Sequence, residues 1–360
     1  MGKTWFKENR KPVLLCGILL LLSVLCFSVC GAMSSVLRES KAAEKWAGES
    51  DIKFAYYSVC FPETAKASEE TVYMTKSALE KKLTEASVEA PAGGSLWHDG
   101  YCGSAMVTAE TERGSATVKA LGVGGDFFFF HEPNLKSGNL LSQSDLMHDR
   151  VVLEKELAWQ LFGAVDVAGM ELTVGGKPFL VAGVIEKETD FAHKAAEEEN
   201  TGLYLWYDAL SGIADVGITS YDLVLPDPVT NFAENFMAET FEGKSAAVTD
   251  VSNRYSVKNL FTILLSFGKR SMRTDNIIFP AWENAARLTE DYAALCFLLG
   301  VLFLLVPLCF GIFLAVKEGK KVGKKGFAFL KVKLEKAADA ANDRLYEKER
   351  RKKLPPKEES

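Results

Sequence analysis

Two long uncharged runs dominate the pattern of hydrophobic and polar positions along the chain. The first has 26 uncharged residues after Lys11, and the second has 25 after Asp291. A helix needs about 20 apolar residues to cross a lipid bilayer. The pattern therefore predicts two transmembrane helices, at residues 13–33 and 291–316, with one large domain of residues 34–290 between them.

A cleaved signal peptide is the alternative interpretation of the first run. Cleaved signals have apolar cores of about 7–15 residues and end at small residues. Cys30-Gly31-Ala32 is a weak site of that kind, but the apolar core before it is longer than such signals have. The length of the run favours a retained helix.

The distribution of charge predicts which side of the membrane the large domain faces. The net charge is +3 over residues 1–12 and +7 over residues 317–360, so the chain total of −6 leaves −16 between them. Positive flanks stay in the cytoplasm during insertion. We therefore predict a two-pass plasma-membrane protein with both termini in the cytoplasm and an acidic extracytoplasmic domain.

The domain between the two runs mixes helical and extended patterns. Helices are predicted at 34–47, 71–88, 154–162 and 229–241, and strands at 52–60, 106–111, 116–123, 150–153, 171–174, 178–185, 202–207, 221–225 and 246–250. Gly175 and Gly176 separate two apolar strands, and a tight hairpin turn needs the positive φ that glycine adopts. Because the elements lack a regular strand–helix–strand alternation, the predicted fold class is α+β.

The second apolar run belongs to a longer predicted helix. Pro280 is a normal helix start, and the helix continues over residues 281–316 with Pro307 as a position that allows a kink. Since the bilayer core is about 30 Å thick, we expect the first turns to protrude as a stalk. Glycines then predict a basic linker before a last helix at 327–353, which either lies on anionic lipid or stays solvated.

Cysteine usage agrees with this topology. Five of the seven cysteines lie in the two apolar runs, and Cys60 and Cys102 lie in the domain between them. Two cysteines in an oxidising compartment predict one disulfide bond. Two unrelated buried thiols are the alternative.

The search for catalytic motifs is negative. His98, His131, His148 and His193 lack the spacing of zinc-binding motifs, and the sequence has no P-loop and no Gly-x-Ser-x-Gly nucleophile elbow. His193, near the acidic residues 197–199, is predicted to belong to a solvated loop rather than to a cation site. The acidic domain also argues against a nucleic-acid partner. We therefore predict no catalytic, cofactor or metal site and no enzymatic activity.

Residues 122–207 carry a resemblance to a known family. The matching segments, in order, are GVGGDFF from Gly122, LKSGNLL from Leu135, RVVLEKELA from Arg150, LFG from Leu161, GMEL from Gly169, VGGKPF from Val174 and VAGVI from Val181. In this order they resemble the MacB-type periplasmic core domain of FtsX-like ABC transporter permeases.

The resemblance implies an architecture and a function. In such permeases the domain lies between the first two transmembrane helices and has two lobes, so the inserted lobe corresponds here to residues 118–207. The chain is then a non-catalytic, permease-like subunit of a transport or mechanotransmission complex. The implied partners are a separate ABC ATPase, a second FtsX-like permease chain or a second copy of this chain, and membrane lipid.

The sequence departs from the family pattern after Val316. Family permeases have two more transmembrane helices there, whereas this chain has a charged tail. Two expectations stay open. Either a separate chain supplies the remaining helices, or the protein is a membrane-anchored extracytoplasmic binding or sensory module without coupling to an ATPase.

Overall fold

The structure, a computed structural model, describes residues 10–36, 41–48, 50–88, 95–188, 190–196, 201–267, 273–274 and 276–352. Its helices are α1 (Arg10–Val36), α2 (Ala42–Ala47), α3 (Glu69–Glu85), α4 (Phe127–Phe130), α5 (Lys155–Phe162), α6 (Phe191–Ala196), α7 (Tyr207–Ser211), α8 (Phe232–Phe241), α9 (Val257–Leu265) and α10 (Ala281–Lys352). Its strands are β1 (Phe54–Cys60), β2 (His98–Thr111), β3 (Gly114–Gly125), β4 (Asn134–Gly138), β5 (Arg150–Glu154), β6 (Glu171–Val174), β7 (Lys177–Glu186), β8 (Thr201–Trp206), β9 (Ser220–Pro226), β10 (Ala247–Asp250), β11 (Arg273–Thr274) and β12 (Ile277–Ile278).

Two helices among the described residues are long and apolar enough to cross a membrane. They are Arg10–Met33 within α1 and Ala281–Lys317 within α10. The chain packs as two compact units. One contains Met1–Cys26 and Leu298–Ser360, and the other contains Phe27–Phe297.

A single mixed sheet of ten strands forms the centre of the second unit. The strand order is β10-β1-β9-β2-β3-β8-β5-β7-β4, and β6 pairs with both β2 and β7. The pairs β3–β8 and β5–β7 are parallel, and the others are antiparallel. Strands and helices alternate irregularly along the chain, so the predicted α+β class is confirmed.

The long hairpin of β2 and β3 connects the two ends of this sheet. Its strands have 14 and 12 residues and pair without interruption from Gly100 with Gly125 to Thr111 with Gly114. The first half of β2 pairs with β9, whereas its second half pairs with β6. The hairpin therefore runs through both halves of the domain.

Two separate hydrophobic cores confirm the predicted two lobes. In the first lobe, α3 and α8 cover β1 and β9, and the core contains Val59, Leu79, Leu83, Leu223, Leu225 and Phe236. In the second lobe, α5 and α7 cover β3, β5, β7 and β8, and the core contains Val107, Val151, Leu153, Leu161, Phe179, Leu203 and Leu210. The lobes share one continuous sheet, so they are joined by β-ladder hydrogen bonds as well as by the chain.

Local geometry requires glycine at one turn and at one strand position. Gly175 and Gly176 form the turn between β6 and β7 with φ of +55° and +82°, which is where the sequence predicts a hairpin. Gly103 on β2 lies so close to the chain at residue 217 that a Cβ would stand 2.3 Å from the carbonyl oxygen of Gly217. Only glycine fits there without moving the backbone.

Some predicted elements differ from those observed. The glycines after Gly319 do not interrupt the last helix, since α10 is continuous for 72 residues to Lys352. A glycine costs a helix about 1 kcal/mol relative to alanine, but many of the residues around these glycines are good helix formers such as Lys, Ala and Leu. Pro307 lies inside this helix, and its kink stays a prediction. β4, β11, β12, α4, α6, α7 and α9 were not predicted from the pattern.

Several predictions fall on residues that the structure does not describe. Residues 1–9, 197–200 and 353–360 lie outside the described ranges, and so does the join between α1 and α2 at residues 37–40. The predicted helix at 34–47 is observed as the end of α1 and as α2 on either side of that join.

The structure contradicts the predicted disulfide bond. Cys60 and Cys102 are both buried free thiols. On β9, Ser220 is the register partner of Cys60 on one side and of Cys102 on the other. Two strands separated by a third lie about 9–10 Å apart, whereas a disulfide needs Cα atoms within about 7 Å. The two cysteines are therefore two unrelated buried thiols, which is the alternative that the sequence left open.

Burial also makes these thiols unreactive. It raises the pKa of both the Cys60 and the Cys102 thiols well above the ordinary value, because a thiolate is poorly solvated in the protein interior. Since the thiolate is the nucleophile, alkylation requires unfolding.

We predict that a variant retaining only Cys60 and Cys102 reacts with a maleimide reagent only after denaturation. Both thiols should then be labelled without prior reduction, as measured by the mass of the intact protein. The Cys60→Ser variant of the native chain should migrate like the native chain on a non-reducing gel. If the native chain migrated faster than the Cys60→Ser variant, the disulfide bond would be present after all.

We also predict that Gly103→Ala destabilises the domain by about 1–3 kcal/mol, the usual cost of overpacking. Gly114, at the other end of the same hairpin, has open space where its Cβ would lie. Gly114→Ala is therefore the matched control and should leave the thermal unfolding temperature nearly unchanged. Equal effects from both substitutions, measured by tryptophan fluorescence in detergent, would contradict the close contact.

Candidate functional site at the base of the stalk helix

The base of the stalk, which we define as residues 281–297 of α10, packs into the same unit as the sheet. Its first turn is fixed by Asn284, whose backbone N–H donates to the Pro280 carbonyl (3.0 Å) and whose side-chain amide donates to the Phe279 carbonyl (2.9 Å). Glu283 and Glu290 are buried here, at 3% exposure each. Buried carboxylates need a partner cation.

Arg254, in the loop after β10, is that partner. Its guanidinium donates to Glu290 Oε1 through Nη1 at 2.7 Å and to Glu283 Oε2 through Nη2. Arg287, one turn beyond Glu283, donates from Nε to Glu283 Oε1 at 2.9 Å. We call these four residues, Arg254, Glu283, Arg287 and Glu290, the ion cluster.

The ion cluster is electrostatically balanced. Burial would lower the pKa of the Arg254 guanidinium, but the carboxylates of Glu283 and Glu290 raise it above its ordinary value, so the arginine stays charged. The guanidinium of Arg287 also lies 3.5 Å from the ring centroid of Phe279, a cation–π contact. Removal of one member from such a buried group costs about 3–5 kcal/mol.

An aromatic platform holds the first turn of the stalk. The Trp282 indole lies 4.4 Å from the His131 ring and 5.7 Å from the Phe127 ring, measured between centroids. His131 Nε2 lies 2.9 Å from Asp222 Oδ2, and the Tyr56 hydroxyl donates to Asp222 Oδ1 at 3.0 Å. These contacts connect Trp282 to the centre of the sheet through buried hydrogen bonds.

Two short helices pack against the base of the stalk at different positions along α10. α6, which lies between β7 and β8 in the chain, packs Ala192 and Ala196 near Ala285 and Leu288. α9, which follows β10, packs Leu260 and Ile263 against Ala293 and Ala294. The small alanine side chains let the helices approach closely, so that α6 and α9 both pack on the stalk base.

A cavity of about 380 Å³ lies between the sheet and the start of the stalk. Its apolar lining includes Phe61, Met106, Leu121, Phe127, Phe128, Ile185, Ile278 and Trp282, and its polar lining includes Lys119, His131, Glu154, Lys187 and His193. Its size is in the range of small-molecule sites.

The residues singled out from the sequence lie partly at this site. Cys102 lines the cavity, and Cys60 packs with Ile277 and Phe279 just before the stalk. Gly175 and Gly176 lie at the β6–β7 turn, and Pro307 lies beyond the base in the apolar part of α10.

Sequence reasoning missed the ion cluster. Glu283 and Glu290 are seven residues apart, so they lie on one face of a helix two turns from each other. Two acids at that spacing are equally compatible with a solvent-exposed face, so the helix sequence alone does not indicate a buried cluster. Nothing local points to Arg254 as the cation of this cluster, since it is 29 residues from Glu283.

His193 forms a local arrangement with two acids. Its Nδ1 lies 2.5 Å from Asp190 Oδ2 and 3.2 Å from Glu188 Oε2. The three residues place ligand atoms close enough for a cation. Asp190 Oδ1, however, accepts the backbone N–H groups of Ala192 and His193, so the arrangement serves as the N-terminal cap of α6.

Comparison with known proteins places the domain in a family. The family model of the MacB-like periplasmic core domain matches residues 63–248. The chain is 27% identical over 173 residues to the macrolide export ATP-binding/permease protein MacB 2 of Aeromonas hydrophila. The aligned segment covers 47% of this chain and 24% of that protein. The chain therefore spans about a quarter of the length of this relative.

Solved structures with a similar domain have low identity. The periplasmic region of MacB from Actinobacillus actinomycetemcomitans gives a TM-score of 0.40 at 15% identity, over 60% of this chain and 94% of that one. The extracellular domain of the ABC-type transporter YknZ from Gram-positive bacteria gives 0.35 at 13% identity, over 55% and 100%. The assignment rests on the family match, which covers more than half of the 360 residues. The chain belongs to the MacB-like periplasmic core domain family of ABC transporter permeases.

Proposed function

We propose that the chain is a non-catalytic, permease-like subunit that couples an extracytoplasmic domain to a separate ATPase in a transport or mechanotransmission complex. It crosses the plasma membrane twice, with both termini in the cytoplasm. The tight connection between the sheet and the base of the stalk carries this proposal. A domain that only binds a ligand beside the membrane needs a tether, whereas force transmission needs a helix fixed to the domain.

The ion cluster is the strongest part of that connection. Arg254 bridges two carboxylates that lie two turns apart on α10, and all three side chains are buried. A movement of the stalk relative to the first lobe would separate buried charges, which is costly in a low dielectric. Because α6 and the Trp282 platform hold the same helix, a displacement of α10 is passed to both lobes.

The sequence and the relative support a separate ATPase. The MacB 2 relative is by its name an ATP-binding protein and a permease in one chain. The 360 residues contain no P-loop, and we assign ATP hydrolysis to a separate polypeptide. A second permease chain or a second copy of this chain would complete the membrane part.

The partners are tested by affinity purification from a mild detergent with a tag on the C-terminal tail. We expect mass spectrometry to identify an ABC ATPase, together with a second permease chain or a second copy of this one. Recovery of the chain alone, or with extracytoplasmic proteins only, would overturn the proposed coupling. The anchored binding module would then be favoured, with the 380 Å³ cavity as its site.

We predict that loss of the ion cluster uncouples the domain from ATP. Arg254→Met leaves Glu283 and Glu290 without the cation between them and should destabilise the domain by about 3–5 kcal/mol. The triple variant Arg254→Met, Glu283→Gln, Glu290→Gln removes the three most deeply buried charges and should lower that penalty, while the partly exposed Arg287 keeps its cation–π contact with Phe279. In the purified complex it should retain ATP hydrolysis but lose the ATP-dependent change in hydrogen exchange of the domain.

The matched control is Lys82→Met, which removes an exposed ion pair with Glu239 far from the stalk residues in sequence. Exposed pairs contribute little to stability, so this variant should keep the ATP-dependent change. An unchanged response in the triple variant would show that the ion cluster does not transmit movement.

The topology gives a further prediction. With tags at both ends, external protease on spheroplasts should cleave the large domain and leave both tags on protected membrane fragments. A loop inserted at Gly243, at the exposed end of α8, with a protease site provides the positive control for access. Removal of the C-terminal tag from outside would place the tail on the extracytoplasmic side.

A further inference from the structure

The helix α9 exposes a stripe of large apolar side chains. Val257, Phe261 and Leu265 are 63%, 57% and 79% exposed. They recur every four residues and therefore lie on one face of the helix. Phe267, just past its end, is 55% exposed. We call these four residues the α9 stripe, and such a stripe is unfavourable in water.

The other face of α9 fixes where the stripe lies. Leu260 and Ile263 are buried against Ala293, Ala294 and Phe297 of the stalk base, and Cys30 and Met33 of α1 join the same cluster. Thus α9 contacts both helices that can cross a membrane, rather than only the stalk.

These contacts occur at one end of each apolar helix. Met33 is the last residue of the first span, and Ala293 follows closely after Asp291, the last charged residue before the second apolar run. Tyr292 is 41% exposed at the same level of α10, and tyrosine is enriched where a spanning helix leaves the membrane. The α9 stripe is therefore at the level where both spans emerge from the lipid.

We propose that α9 lies in the interface of the lipid bilayer, with the α9 stripe inserted among the lipids and Lys258 and Thr262 facing the aqueous side. Lipid is the occupant because α9 packs on Met33 and Ala293, at the ends of the two apolar segments that are long enough to span a membrane. Lys258 and Thr262 are exposed and lie beside the stripe on the helix, which gives α9 the two-sided character of an interfacial helix.

This inference depends on the two membrane spans and not on the coupling to an ATPase. An interfacial α9 would hold the loop that carries Arg254 at a fixed height above the lipid, since Arg254 precedes Val257 by three residues. The test below can therefore contradict the lipid position of α9 while the proposed ATPase partner is recovered. It can also support that position when no ATPase is recovered.

The test compares spin labels at two neighbouring exposed positions of the full chain in lipid nanodiscs. In a variant with all seven native cysteines replaced by serine or alanine, Phe261→Cys reports on the stripe and Thr262→Cys is the matched control. Oxygen concentrates in lipid and a nickel chelate in water. We expect oxygen to relax the label at position 261 more strongly than the nickel chelate does. At position 262 we expect the nickel chelate to relax the label more strongly than oxygen.

Two results would overturn the proposal. Preferential relaxation by the nickel chelate at both positions would place the stripe in water. Low access of both reagents at 261, with an immobilised spectrum, would show that a protein surface covers it, either a second copy or another chain.

A second measurement applies if the variant without native cysteines does not fold. The native chain then carries p-benzoylphenylalanine at position 261 or 262 and is irradiated in the same nanodiscs. A mass increase of one phospholipid from 261 and not from 262 supports the proposal. A crosslink from 261 to protein, or equal lipid crosslinking at both positions, contradicts it.

Discussion

The buried cluster of Arg254, Glu283 and Glu290 is the constraint on which the arrangement of the domain depends. Charges without water must be compensated by close partners, and here one guanidinium serves two carboxylates of the same helix. Both contacts form only when the helix has one rotation and one height relative to the end of β10. The apolar contacts of α6, α9 and Trp282 are compatible with that single position.

Apolar contacts alone would fix the stalk less well. A shift of α10 by one turn would bring Arg287 and Ala294 to the positions of Glu283 and Glu290, so that Arg254 would face a like charge and a methyl group. The contacts with α6 and α9 involve Ala285, Ala293 and Ala294, which pack without directional polar bonds. The ion cluster thus specifies the register, and the apolar residues supply most of the buried area.

Local features of the domain could be predicted from the sequence, and long-range ones could not. The Gly175-Gly176 turn and most strands follow from residues within ten positions of one another. The wrong prediction of a disulfide bond between Cys60 and Cys102 has a different cause. The strand that separates the two cysteines is β9, and its residue Ser220 comes 118 residues after Cys102. For the same reason the pairing of Glu283 and Glu290 with Arg254 could be seen only in the fold.

The loop after β10 joins three parts of the molecule in a few residues. β10 ends in the sheet at Asp250, Arg254 contacts the stalk, and α9 begins at Val257. If α9 also lies in lipid, an axial movement of the stalk must either separate the ion cluster or pull apolar side chains through the interface. Both are costly. The least costly motion is then a tilt of the domain and the stalk base together, with α9 as the pivot at the membrane.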